Sequence, residues 1–554
     1  MKLLHAHAYG LITLLCWLGV EGALSTQAAE PARGGTLLTG ARVDLTREGR
    51  PVGFITIPSG TRILVVSETG DGYLVVRTRE EAPFKVSKES LSLDPISAAT
   101  ATPPPSPVAS ATTSSSTAGR SGESPKSSTP APVSTTSSIS SISNITTKTP
   151  TAEEVNKALG IPLFGSGSLW EENDAIVANR LRWPQESKTT YEAGYRRYPY
   201  TFNTETRVLG VRSLALFLQG VNDKTARATI LFANKGDVAF FSSAREARQQ
   251  AANSKQPLNV TDNMLRGFQD AMRKDKATLE SSLRALFGDA LPARTGRFAT
   301  TAEAGQRWDW KGHTFLLMTP PNEYVLLRIL PTVSLDDDAA GRKSFAAAKA
   351  NLSKRVERRE NGDVLISDLP MVDQGRKGYC VPATFERVLR YYGLSEDMNI
   401  LATAGKTGAG GGTSVEAIQG ATYNLLRDAG ANISQKTFSG SIQEIKPIID
   451  AGKPILFTHY STEDFNKRVN ERMAHRVAVT NWEEWKNNFL PSLKKTIPLQ
   501  PDPMYGHICL IIGYNEKTRE IAISDSWGPA ATERWMTEEE ARQIKQSSGI
   551  TVIE

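Results

Sequence analysis

The stretch Asp373-Gln-Gly-Arg-Lys-Gly-Tyr-Cys380-Val-Pro-Ala-Thr-Phe-Glu-Arg-Val-Leu-Arg-Tyr-Tyr-Gly393 decides how the chain reads. Phe385, Val388, Leu389 and Tyr392 recur at helical spacing and predict an amphipathic helix with one apolar face. Pro382 suits a first turn, where the N–H it lacks has no partner inside the helix. Gly393 is a natural stop. Cys380 therefore falls at the helix N-terminus, where the partial positive charge favours the thiolate, the form that attacks carbonyl carbon. Gln374, in the glycine-containing loop upstream, is placed to donate to an oxyanion.

A cysteine nucleophile needs a base and a group that orients the base. Gly506-His-Ile-Cys-Leu-Ile-Ile-Gly-Tyr514 reads as a strand that begins with His507, and Arg519-Glu-Ile-Ala-Ile-Ser-Asp-Ser-Trp-Gly528 as its partner. A hairpin turn between Asn515 and Thr518 brings His507 and Asp525 to one end of neighbouring strands. An imidazole between a thiol and a carboxylate activates the nucleophile and fixes the tautomer of the base.

Gln374 and Cys380 before a helix, His507 opening a strand, then Asp525-Ser-Trp-Gly528, together resemble the papain-like cysteine peptidases. The resemblance is strongest to the C39-like peptidase family, whose third member is Asp where papain has Asn. It covers about residues 360–554. It implies Cys380 as nucleophile, His507 as base, Asp525 as orienter, Gln374 in the oxyanion hole, and Trp527 as the ring that keeps water from the His–Asp pair. The activity it implies is hydrolysis of peptide or amide bonds in a peptide or protein substrate. Two alternatives fit the same residues: a catalytically silent papain-like shell that binds peptides, and transglutaminase-like acyl transfer from the same thioester.

The remaining chain frames this domain. A length of 554 residues suggests several domains. A net charge of +6, without a basic stripe interleaved with aromatics, argues against nucleic-acid binding. Residues 1–29 read as a signal peptide: Lys2, an apolar core from Leu11 to Val20, then small residues at Gly22, Ala23, Ala28 and Ala29. Its removal leaves no integral membrane segment and two cysteines, Cys380 and Cys509, too few for a disulfide framework. On an extended strand His507 and Cys509 point to the same face, and Cys509 reads as a small buried apolar residue. The expected location is secreted, periplasmic or cell-envelope.

Residues 36–93 read as short β-rich runs punctuated by Pro58-Ser-Gly60 and Thr69-Gly-Asp-Gly72. They resemble a bacterial SH3-like domain, which implies a cell-wall or surface ligand. Residues 94–150 are a Ser/Thr/Pro-rich stretch without aromatics and read as a disordered linker. Residues 151–345 read as an α+β domain of unassigned role. Arg227 to Phe232 alternates and pairs with Ser213 to Leu218, Leu265 to Leu286 marks helices, and Trp308 to Leu330 reads as a meander. This region binds substrate, inhibits in the manner of a propeptide, or supports the peptidase. His313, after the Lys311-Gly312 turn, reads as a surface or structural histidine.

Within residues 360–554, Thr413-Ser-Val-Glu416 and Ser441-Ile-Gln-Glu444 are capping boxes that open helices, and Pro447 falls inside the second. Ile455 to Tyr460 reads as a strand. The glycine-rich run Gly405–Gly412 lacks the glycine a Walker pattern needs and reads as a flexible loop beside the cleft. Residues 461–505 read as an insertion that is a surface decoration, a lid or a specificity loop. His459 and His475 lack metal-ligand spacing, and neither a metal nor another cofactor is expected. The fold class is therefore multidomain: an all-β SH3-like barrel, a linker, an α+β middle region and an α+β papain-like domain.

Overall fold

The computed structural model describes segments 34–37, 41–47, 50–57, 62–69, 72–76 and 84–93, and residues 149–554 apart from 203, 244, 247–258, 296–302, 333–347, 395, 494–497 and 548. The expected signal peptide and nearly all of the expected linker lie outside the described residues. The chain divides into two compact units at residue 138. In the first, an antiparallel sheet runs in the spatial order Phe84–Ser87, Gly72–Val76, Arg62–Thr69, Gly34–Leu37, Leu91–Leu93, beside a separate hairpin of Ala41–Arg47 and Arg50–Ile57. Ile63, Val75, Val86 and Leu91 are its buried apolar residues.

The second unit holds two large sheets and, among the described residues, a small pair of strands, Arg207–Val208 and Val211–Arg212. The middle sheet has eight antiparallel strands in the order Leu291–Thr295, Glu303–Trp310, His313–Met318, Tyr324–Pro331, Lys224–Asn234, Ala215–Val221, Glu192–Arg197, Gln185–Lys188. The alternation of Ala228, Ile230 and Phe232 is real, and these residues pack under Val155, Val177, Phe268 and Leu279 of the helices Ala152–Leu159, Asp174–Leu181 and Asp262–Phe287. The last is a single helix of 26 residues. The opposite face is also covered. Leu231, Leu316, Met318 and Leu326 belong to the same apolar cluster as Phe385, Val388 and Leu389 of the Cys380 helix. A strand with alternate residues directed into two cores loses its polar side, which is why Lys224–Asn234 is buried along most of its length.

The C-terminal sheet runs Val356–Arg358, Asp363–Ile366, Gly506–Asn515, Ile455–Tyr460, Gly549–Ile553, Ile433–Thr437, with Glu520–Ser524 also paired to the central strand and Arg534–Thr537 beyond it. The Cys380 helix, Cys380–Tyr391, lies on this sheet. The expected polar face of that helix is absent as a solvent face: Glu386, Arg387 and Arg390 are buried, because the middle sheet packs where water was expected. Ser441 forms the expected capping box, and its helix, Ile442–Asp450, continues through Pro447. At the other helix the cap falls one residue later than expected, on Ser414, whose hydroxyl accepts from the Ala417 N–H. His313 is buried among Phe164, Trp170 and Trp310, a structural position and not a surface one. Among the described residues no helix is long and apolar enough to cross a membrane.

Candidate active site

Three segments meet at one end of the C-terminal sheet. The strand Gly506–Asn515 places His507 at its start. Its hairpin partner Glu520–Ser524 pairs Ser524 with Leu510 and delivers Asp525 one residue later. The Asp525 N–H donates to the Ala531 carbonyl at 3.0 Å, which holds the turn that follows. The Cys380 helix supplies the third member at its first residue.

The His507 Nε2 lies 2.9 Å from the Asp525 Oδ1. The ring also interacts with the Cys380 thiol by hydrogen bonding and charge. Burial pushes the Cys380 thiol up, but the hydrogen bond and charge of His507, with the Ile508 and Val381 backbone N–H groups, bring it below the usual thiol range. Burial disfavours the His507 imidazolium, yet Asp525 and Cys380 outweigh it and raise its pKa to about 9. Burial likewise pushes the Asp525 carboxyl up, and His507 and Arg534 hold it well below the carboxylate range. The combined result favours a thiolate–imidazolium pair.

Trp527 lies against this pair, its ring centroid 4.7 Å from that of His507. Arg534 binds the Asp525 Oδ2 and is itself held by the Asn466 Oδ1 at 2.8 Å. Asn466 sits on the helix Glu463–Arg476, within the stretch read from sequence as a lid or specificity loop. This helix braces the site from behind: Arg472 reaches Glu540 at 2.7 Å and Arg476 reaches Asp363 at 2.7 Å.

Gln374 is brought to the same place. Its N–H donates to the Ser526 carbonyl at 2.9 Å, and its side-chain amide donates to the Lys377 carbonyl at 3.0 Å. One amide hydrogen remains for a substrate oxygen. The glycine-rich run is tied down: Gly412 N–H donates to the Gly378 carbonyl and Gly378 N–H to the Gly410 carbonyl. A Cβ on Gly411 would lie 2.4 Å from the Gly378 Cα, so glycine permits this close approach of two backbones.

A second grouping shares Asp525. His459, paired in register with His507 across the strands, lies with its Nδ1 3.8 Å from the Cys509 Sγ. Candidate ligand atoms of His459, Cys509 and Asp525 lie within 4.8 Å of one another, all buried. Burial pushes the Cys509 thiol well up and, with the neighbouring His507, pulls the His459 ring down to about 3. A neutral thiol and a carboxylate already bound to a guanidinium make a poor cation site. They equally make a poor nucleophile, whereas Cys380 is half-buried and electrostatically activated. Neither His459 nor Arg534 was singled out from sequence as part of the site; both arrive through strand register and long-range packing.

Residues 366–548 match the model of the Peptidase_C39 like family. No curated protein matches the chain. The match takes in Gln374, Cys380, His507 and Asp525 and leaves the middle sheet and the N-terminal unit outside. The C-terminal region is a C39-like cysteine peptidase domain, with peptides or proteins as its substrate class.

Proposed function

We propose that Cys380 is the nucleophile, His507 the general base and acid, Asp525 the orienter and Gln374 an oxyanion donor. The observation that carries this reading is the position of His507, bound through Nε2 to Asp525 and interacting with the Cys380 thiol. The thiolate attacks the scissile carbonyl carbon and forms the S–C bond. The displaced electron pair rests on the oxygen, held by the Cys380 backbone N–H and the free Gln374 amide hydrogen. As the C–N bond breaks, His507 gives its proton to the leaving amine. Water, deprotonated by His507, then attacks the thioester and releases the carboxylic acid and the thiolate.

The wider reading is an exported or envelope enzyme with an N-terminal anchor. Lys2, the apolar run to Val20 and the small residues after it support export. The short strands and glycine turns of residues 36–93 support an SH3-like module for a wall or surface ligand, joined by the Ser/Thr/Pro-rich linker. The site assignment is tested with p-nitrophenyl acetate, an activated ester that needs no side-chain recognition. Cys380→Ser is expected to lose acylation and Cys509→Ala to keep it. The converse result assigns the nucleophile to the buried grouping and overturns the reading.

A further inference from the structure

The loop that carries Gln374 to Cys380 leans on the middle sheet along nearly its whole length. The Met371 N–H donates to the Ser187 hydroxyl at 2.9 Å and the Asp373 N–H to the Glu186 Oε1 at 2.7 Å. Tyr198 donates its hydroxyl hydrogen to the Asp373 carbonyl at 2.6 Å, and the Tyr200 hydroxyl accepts from the Arg376 N–H at 3.3 Å. The Lys377 ammonium lies 3.6 Å from the Asp237 Oδ2. Tyr379, immediately before Cys380, donates to the Asn234 Oδ1 at 3.1 Å.

The fit is steric as well as polar. Gly375 has φ +71°, and a Cβ there would lie 2.6 Å from the Tyr200 hydroxyl oxygen. A Cβ on Gly236 of the middle region would lie 2.3 Å from the Tyr379 ring. Gln374 takes its side-chain orientation from the Lys377 carbonyl, and Lys377 is fixed by Asp237 and lies over the Tyr198 ring. The contacts therefore run from the middle region to the Gln374 amide group that is proposed to hold the oxyanion. Removal of the sheet would also uncover the apolar residues it shares with the Cys380 helix, an exposure costly to any fragment left behind.

We propose that the middle region is a permanent part of the peptidase, in which Tyr198, Tyr200 and Asp237 act as positioning residues for the oxyanion loop, and not a propeptide that must leave. This rests on the assignment of Cys380 and Gln374 above. The test compares two reactions of Cys380 in the full chain. Acylation by p-nitrophenyl acetate forms an S–C bond, passes through an oxyanion and expels p-nitrophenolate. Alkylation by iodoacetamide displaces iodide and forms no oxyanion.

Tyr198→Phe/Tyr200→Phe removes two hydroxyls and no ring. It is expected to slow acylation about tenfold or more, since small displacements of positioning groups have effects of that size, while alkylation at pH 6 to 7 stays within about twofold. Gly236→Ala, which displaces Tyr379 from the other side, is expected to give the same split. Acylation equal to wild type in both variants overturns the proposal. So does a parallel fall of both reactions, which would mean a general loss of structure or of the thiolate. A wild-type Cys380 that alkylates only like an ordinary thiol instead overturns the underlying site assignment, and is read separately from the variants.

Discussion

Replacing Asp525 by Asn keeps a hydrogen-bond partner for His507 and removes the charge. The rise of the His507 pKa from 6.5 to about 9 corresponds to roughly 3 kcal/mol of preference for the imidazolium. That preference is shared between Asp525 and Cys380. Loss of the carboxylate is expected to lower the His507 pKa and, through the weakened pair, to raise that of Cys380. The thiolate fraction at pH 6 falls with it, so iodoacetamide alkylation at that pH should slow. Because the folded pKa of His507 is raised, its stabilising contribution is present in full below about 6.5 and is lost as pH rises through about 9. In Asp525→Asn the contribution should be smaller, and the decline should be complete at lower pH. NMR of 13C-labelled histidine follows His507 directly, and the chain has only 6 histidines to assign. A His507 that still titrates near 9 in the variant, with unchanged alkylation, would refute the claim that Asp525 supplies the field.

Two further outcomes follow from the same site. Arg534→Met leaves the buried Asp525 carboxylate with only one cationic partner, and urea unfolding should show a loss of about 3 to 5 kcal/mol; the double variant with Asp525→Asn should recover part of that loss without recovering reactivity. Trp527→Ala uncovers the ring of His507 and relieves part of the burial that opposes its imidazolium, so the His507 pKa followed by 13C NMR should move up from about 9, whereas Trp527→Phe, which keeps an aromatic face at the 4.7 Å contact, should hold it in place.

The order of the proposed catalytic residues is legible because each sits where a local signal ends or begins. Cys380 follows a glycine loop and opens a helix, His507 opens an apolar strand, and Asp525 ends its partner. These signals are short-range and survive any tertiary context. Arg534 has no such signal. Its role depends on Asn466 and Asn470, more than sixty positions away along the chain, and an arginine on an edge strand reads as solvated. His459 was placed on the correct strand, but its place beside His507 is a matter of register, which a sequence pattern constrains only through burial. The middle sheet was half legible. Ala228, Ile230 and Phe232 announce one core, whereas Leu231, Leu316 and Leu326 serve a second core whose other half is encoded from Leu352 onward.

The charged face of the Cys380 helix explains how the three segments of the proposed site keep their mutual register. Apolar packing is non-directional and tolerates small slides; a planar guanidinium does not. Arg387, fully buried, donates to the Pro370 carbonyl at 2.9 Å and to the Ser524 carbonyl at 3.1 Å, and also binds the Ser524 hydroxyl. Pro370 precedes the loop of Gln374, and Ser524 precedes Asp525. One side chain thus ties the helix of the nucleophile to the start of the oxyanion loop and to the strand that delivers the orienter. One turn further along, Arg390 ties the helix to Glu192 of the middle sheet at 2.6 Å. A slide of any one segment would leave a buried donor or acceptor unpaired, at about 1 to 3 kcal/mol each. The face that reads from sequence as a solvated helix surface is therefore what fixes the site's geometry, and the middle sheet is needed to keep water from it.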